Sequence, residues 1–220
     1  MVTPGLAETS GRAASGVPVP TPTYGSGGTF TISCLTHIAA TPRACFDVVI
    51  TAADYAIWNR FCRKCTINSQ PKVSSESEDN DKLQLGTRFT FDVHMNLDDP
   101  DGSAGRATAL EVSVLEPVDD EPSEGGRRRK GWRIAWKQRP SLLMPGWMLR
   151  NERVQEFVEV GSGEGEPETE YRCWETFYGA LAPVVRLAVG KQIERGFDAW
   201  TEGLKARAED KTVNDTGQDI

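Results

Sequence analysis

Histidine is almost missing: His37 and His94 are the two in 220 residues. They fall on different segments, with no Cys, Asp or Glu at a ligand interval, so no metal site is expected. No apolar run is long enough to span a bilayer, so stable membrane insertion is not expected. The start lacks the basic and apolar blocks of a secretory signal. GxSxG and Gly-rich phosphate loops are absent; the Gly-rich turn at 161–165 carries Glu164, which would repel a phosphate. No nucleophile stands beside a recognisable base. Five cysteines, an odd and scattered set, make no disulfide framework. Cys62 and Cys65 form a CxxC without a second pair, and on a strand they would point to opposite faces. Two ordinary thiols and a reducing, cytoplasmic setting are the expectation. Basic residues are also short, 25 against 32 acids, for a net charge of −7. Nucleic-acid binding, which needs a basic face, is not expected.

What is present is patterned. Residues 1–28 are rich in Gly, Pro, Ser and Thr and read as a disordered tail; 210–220 read as a second one. The stretch 180–208 repeats Val185, Val189, Ile193, Phe197, Trp200 and Leu204 at three- and four-residue steps, the stripe of an amphipathic helix. At ~1.5 Å per residue it would be roughly 40 Å long. Gly196 and Gly203 lie on or beside the stripe, each costing about 1 kcal/mol relative to alanine. Close packing, or space left for a ligand, would offset that.

Upstream, 29–38 alternates as a strand. Thr41 and Pro42 open a short helix, and 53–59 reads as a second. Strands follow at 61–69 and from Gly86, where Phe89, Phe91, Val93 and Met95 alternate with polar residues. A strand at 107–115 would hold Thr108, Leu110, Val112 and Val114 on one face. A long polar loop is expected over 116–130. It ends in Arg127, Arg128, Arg129 and Lys130, which read as a solvated hairpin tip or a nuclear import signal. Strands at 132–137, 150–160 and 169–178 complete the set. Between them, 141–149 is a compact apolar loop suited to covering a cavity mouth.

The order predicts an α+β fold: a curved antiparallel sheet of about seven strands, wrapped round a long C-terminal helix, with two short helices after the first strand. Three patterns resemble the START-like superfamily, which includes Bet v 1-like proteins and polyketide cyclases. They are Tyr55, Trp58 and Asn59; Glu175-Thr176-Phe177-Tyr178-Gly179; and Arg195-Gly196-Phe197 followed by 204–209. The resemblance covers one helix-grip domain over 29–209. It implies a cavity between sheet and helix for a small hydrophobic or aromatic, lipid- or polyketide-like molecule.

Trp58, Phe91, Trp136, Trp147, Phe197 and Trp200 are the expected lining, with 142–149 as a gate. The alternative is a cofactor-independent cyclase, aromatase or dehydratase, with Glu175 and His94 as acid–base candidates. Glu175 shares its phase with Tyr171, Cys173 and Phe177 and should face inwards, with Arg153 or Arg195 as partner. By phase, His94 and Asp92 should face outwards. An interaction protein using the basic cluster and the apolar loop is a third reading.

Overall fold

The apolar stripe of the C-terminal helix has to be covered along its length, and a curled sheet covers it. The computed structural model describes residues 11–71, 80–99, 105–120, 129–160 and 168–216. The elements in order are β1 (Ala14–Gly16), β2 (Phe30–Ile38), α1 (Pro42–Ile50), a 3-10 turn (Ala52–Asp54), α2 (Tyr55–Trp58), β3 (Cys62–Ser69), β4 (Arg88–Val93), β5 (Arg106–Asp120), β6 (Arg129–Gln138), β7 (Arg150–Val160), β8 (Glu168–Tyr178) and α3 (Ala182–Thr216). The strands form one antiparallel sheet in the order β1-β2-β8-β7-β6-β5-β4-β3. This is the expected helix-grip architecture, with one strand more.

Local chemistry sets the boundaries. The Thr41 side chain accepts a hydrogen bond from the Ala44 backbone N–H (3.1 Å), capping α1, and Pro42 occupies its first turn. Gly179 ends β8 with φ +97°, and a Cβ there would lie 2.6 Å from the Met148 carbonyl oxygen. Only glycine fits both demands. The last helix runs to Thr216, past the expected end of the domain.

The extra strand corrects the reading of 1–28 as a tail. Residues 11–28 belong to the fold. β1 pairs with β2, and its neighbours are held by α3 carboxylates: Ala13 N–H to Asp198 Oδ1 (2.7 Å) and Ser15 Oγ to Glu194 Oε1 (2.6 Å). Further on, the arm crosses the outer face of the sheet. The Thr176 hydroxyl donates to the Val19 carbonyl (2.7 Å), and Thr23 donates through its backbone and hydroxyl to Glu152 (2.8 and 2.7 Å). A segment with few apolar side chains is thus fixed through its backbone polar groups, which composition does not register. The remaining tail residues, 1–10 and 217–220, lie outside the described residues.

Two β-bulges change which residues face inwards. A register shift between Val112 and Val114 turns Val114 to the outer face and Leu115 to the inner core. The single-face reading of Val112 and Val114 is therefore wrong, because a bulge resets the alternation. A second shift, between Cys62 and Lys64, leaves Cys62 and Cys65 both buried rather than on opposite faces. All five cysteines are free. The expected loop 116–130 is sheet at both ends: β5 extends to Asp120 and β6 begins at Arg129, while 121–128 lie outside the described residues. Their charges face across the ladder, Glu116 opposite Arg133 and Asp120 opposite Arg129, each pair ion-paired.

Trp200 is fully buried at the centre of the grip, its ring 5.1–5.9 Å from those of Tyr55, Trp58, Phe91 and Trp136. Gly196 and Gly203 are the points of closest approach on the same helix. A Cβ on Gly196 would meet the Phe61 ring at 2.4 Å, and one on Gly203 the Trp58 carbonyl oxygen at 2.1 Å. Close packing, not ligand space, offsets their helix cost. Gly203→Ala should therefore destabilise the protein by about 1–3 kcal/mol despite alanine's higher helix propensity. Gly190→Ala, where the nearest atom is 3.9 Å from the added Cβ, should be neutral or stabilising. Trp200→Ala should lose about 3–5 kcal/mol. Urea unfolding of the three variants checks all of this.

Candidate functional site

The helix is grasped tightly over one half and loosely over the other. From Gly196 onward it packs solidly on Phe61, Trp58 and the aromatic cluster. Before Ile193 its inward residues are Leu181, Val185, Ala188 and Val189, too short to fill the curve of the sheet. There a cavity of about 550 Å³ opens, a size that suits a small organic ligand.

The walls come from six strands, β3 to β8, from 141–149 and from α3. Phe91, Val93 and Met95 and the inward side chains of β5 form one side; Trp136 and Gln138 continue it on β6; Asn151, Arg153, Glu175 and Phe177 form the other. Of the expected ligand-binding residues, Phe91 and Trp136 line this space. Trp58, Phe197 and Trp200 do not; they belong to the solid core behind it. The helical stripe was visible in sequence, but not which turns of it face a void.

Trp147 is also misplaced by the sequence reading. It is 69% exposed and points away from the cavity. Met144 and Leu149 of the same loop line it instead. The loop is tied to the β8–α3 connection: Ala180 and Leu181 N–H donate to the Trp147 and Met148 carbonyls (3.4 and 2.9 Å). These bonds fix the backbone and leave Leu142, Leu143 and Trp147 exposed. The loop does stand at the cavity, as its composition predicted.

One polar part of the cavity is a group of three side chains on β7 and β8. Arg153 lies directly across the ladder from Glu175. Asn151 Nδ2 donates a short hydrogen bond to Glu175 Oε1. Arg153 is 4% exposed, and its guanidinium rests 4.0 Å from the Phe197 ring centroid and 4.2 Å from that of Trp200. Two aromatic faces stabilise a desolvated cation by about 2 kcal/mol or more. Its Nε donates to Cys173 Sγ (3.2 Å), while Nη2 is buried with no hydrogen-bond partner. Arg153 is among the residues that line the cavity, and a guanidinium can donate to an oxygen acceptor on a ligand.

Burial pushes the Glu175 carboxyl above its ordinary pKa; the Arg153 charge and the Asn151 bond only partly oppose it. Burial also raises Cys173, but the Cys34 thiol and the Arg153 charge outweigh it and bring Cys173 down to about 7. Burial pushes Cys62, also at the wall, well up, so it stays a thiol. His94 is not at the cavity. It is buried nearby, its Nε2 2.9 Å from Asp92 Oδ2. The two acid–base candidates are therefore not brought together. Arg195, the other expected partner for Glu175, is held by Asp98 (2.8 Å).

The basic cluster is divided. Arg127 and Arg128 lie outside the described residues. Arg129 is committed to Glu156 (2.6 Å) and Asp120 (3.3 Å). No group of potential metal ligands occurs among the described residues, and none of their helices is long and apolar enough to cross a membrane.

The raised Glu175 pKa has a defined sign. The unfolded chain releases this proton first, so stability should decline as pH rises from about 4.3, the ordinary glutamate value, to the higher value in the fold. Glu175→Gln should remove that part of the decline and be more stable than the wild type near neutrality. Urea unfolding of both proteins across this range gives the comparison; parallel curves would mean that Glu175 titrates normally.

No protein-family profile matches the chain. A curated fungal protein does: "Oxopyrrolidines biosynthesis cluster protein O" of Penicillium oxalicum is 31% identical over 189 residues, 84% of this chain and 86% of that protein. Among solved structures, the hypothetical protein jhp0584 of Helicobacter pylori is similar at TM-score 0.54 and 16% identity, over 80% of this chain and 86% of its own. A START superfamily protein from Mycobacterium smegmatis gives TM-score 0.47 at 15% identity, over 82% and 97%. The chain belongs to the family of the Penicillium oxalicum protein and carries a helix-grip α+β fold.

Proposed function

We propose that this protein binds a small, largely apolar, lipid- or polyketide-like molecule between the curled sheet and the first half of α3. The molecule would present an oxygen acceptor to Arg153. The carrying observation is the buried guanidinium whose Nη2 has no partner, set in a wall otherwise made mainly of apolar side chains. A buried donor without an acceptor costs about 1–3 kcal/mol, which a ligand oxygen would recover. The apolar body of the ligand would contribute through burial, at about 25 cal/mol per Å². The printed name of the fungal relative refers to a biosynthesis cluster, a setting consistent with such a ligand.

A second reading is favoured by one observation. Glu175 is held toward its protonated form, faces the cavity and lies across the ladder from Arg153. In a cyclase or dehydratase it would give a proton to a carbonyl or leaving hydroxyl while Arg153 stabilised the developing negative oxygen. No cofactor enters this scheme. The two readings differ in whether the ligand leaves unchanged.

Native mass spectrometry of protein from its own source organism, before and after organic extraction, tests the first reading. An adduct lost on extraction is expected, and Arg153→Met should reduce its occupancy at least about fivefold, the effect of losing about 1 kcal/mol. A thermal melt confirms that the variant is folded. Equal occupancy in a folded variant would remove Arg153 from the site. For the second reading, Glu175→Gln should bind the extracted molecule while no longer converting it. Conversion at the wild-type rate would rule out Glu175 as the proton donor.

A further inference from the structure

The cavity is positive inside a chain whose net charge is −7. Three arginines line it, Arg106, Arg139 and Arg153, against one acid, Glu175. That leaves the lining net positive, three guanidinium groups against one carboxyl. Arg106 and Arg139 stand at one end of the β5–β6 pair, where Arg139 N–H donates to the Ala109 carbonyl (2.9 Å). Arg106 is exposed and Arg139 half-buried, which places both at the opening rather than the floor.

Neither has a carboxylate in ion-pair contact among the described residues. Arginines of the neighbouring ladder that face away from the cavity behave differently. Arg88 is paired with Glu111 (3.1 Å), and Arg133 with Glu116 and Glu156 (2.7 and 2.6 Å). These outer arginines meet acids, whereas Arg106 and Arg139 at the cavity do not. Low-dielectric walls concentrate the field of such charges at a cavity mouth.

We infer that the ligand is a hydrophobic acid: an apolar body that fills the cavity and one anionic oxygen group, a carboxylate or an ionised enol, held at the mouth by Arg106 and Arg139. The inference rests on the binding function proposed above and adds the class of ligand. The anion sits at the mouth because water still reaches it there. At the floor it would lose its hydration almost entirely, a penalty of several kcal/mol.

Competition against Nile red, a neutral dye, tests this at low salt with the full chain. Decanoic acid is compared with its methyl ester, and a 2-acyl-cyclohexane-1,3-dione, an acidic enol, with its O-methyl ether. At least one acid should compete about tenfold better than its neutral partner, a difference of about 1.4 kcal/mol. Whichever does identifies the anion as carboxylate or enolate. In an Arg106→Gln, Arg139→Gln double variant the preference should fall below about threefold, with the neutral compounds unaffected. Added salt should reduce it in the wild type. Neutral partners that compete as well as the acids would overturn this inference and leave the binding function standing. A preference that survives in the double variant would also overturn it. Failure of the dye and of every competitor to bind would overturn both.

Discussion

The contact between Arg153 and the α3 rings of Phe197 and Trp200 ties the chemistry of the sheet to the position of the helix. A guanidinium on the concave face of a sheet loses most of its hydration, a penalty of several kcal/mol. The ring faces at 4.0 and 4.2 Å, the Cys173 sulfur and the Glu175 charge offset part of that. Remove the rings and Arg153 has no reason to stay inside. Trp200 is held in turn by Tyr55, Trp58, Phe91 and Trp136. The short helix α2, the strand β4 and the helix α3 therefore all act on one cation. They also leave its Nη2 buried without a hydrogen-bond partner.

The same helix is both clamp and cavity wall, and side-chain size divides the two tasks. Where the residues facing the sheet are glycine and large aromatics, backbones and rings meet at van der Waals distance and the packing is solid. Where they are valine and alanine, the sheet stays apart and about 550 Å³ is left open. A site needs rigid support to hold its geometry. Here the support is the C-terminal half of α3, and the cavity lies two to four turns before it. The sheet is held at one end and so cannot collapse onto the short side chains at the other.

The regular elements were legible because they repeat. The stripe of α3, the alternation of Phe89, Phe91 and Val93, and the Thr41-Pro42 cap were read directly, and with them the fold. Glu175 was placed inwards by phase alone. What was not legible depends on breaks in period or on contacts distant in sequence. Neither the shift at Val112 and Val114 nor that at Cys62 and Lys64 leaves a Gly or Pro to mark it. The arm at 11–28 is fixed largely by backbone N–H and C=O groups and small hydroxyls, which carry no apolar pattern. The acid-rich and base-rich ends of 116–130 look like a solvated loop until they are laid antiparallel, when Glu116 meets Arg133, Asp119 meets Lys130 and Asp120 meets Arg129. Trp147 and Met144 sit in one apolar loop; which of them turns inwards is decided by the carbonyls bonded to 180 and 181.

Strand β7 shows how much of the site depends on register. Its sequence Asn151-Glu152-Arg153-Val154-Gln155-Glu156 carries acids and the base in opposite phase. Glu152 and Glu156 are fully buried on the outer face. Thr23 and Ser113 donate to Glu152, and Arg129 and Arg133 to Glu156. Burial would push Glu156 up, but the two arginines hold it below the usual carboxylate range. A slip of one residue would exchange the two faces. It would carry two carboxylates into the cavity and Arg153 out of it, reversing the sign of the pocket. The outer carboxylates, bound to the N-terminal arm and to β6, penalise that slip because each would leave its donors unpaired. The matched outer face thereby keeps the unmatched arginine inside. On this view the arm and the outer ion pairs, although remote from the cavity, help to determine which charge a ligand meets there.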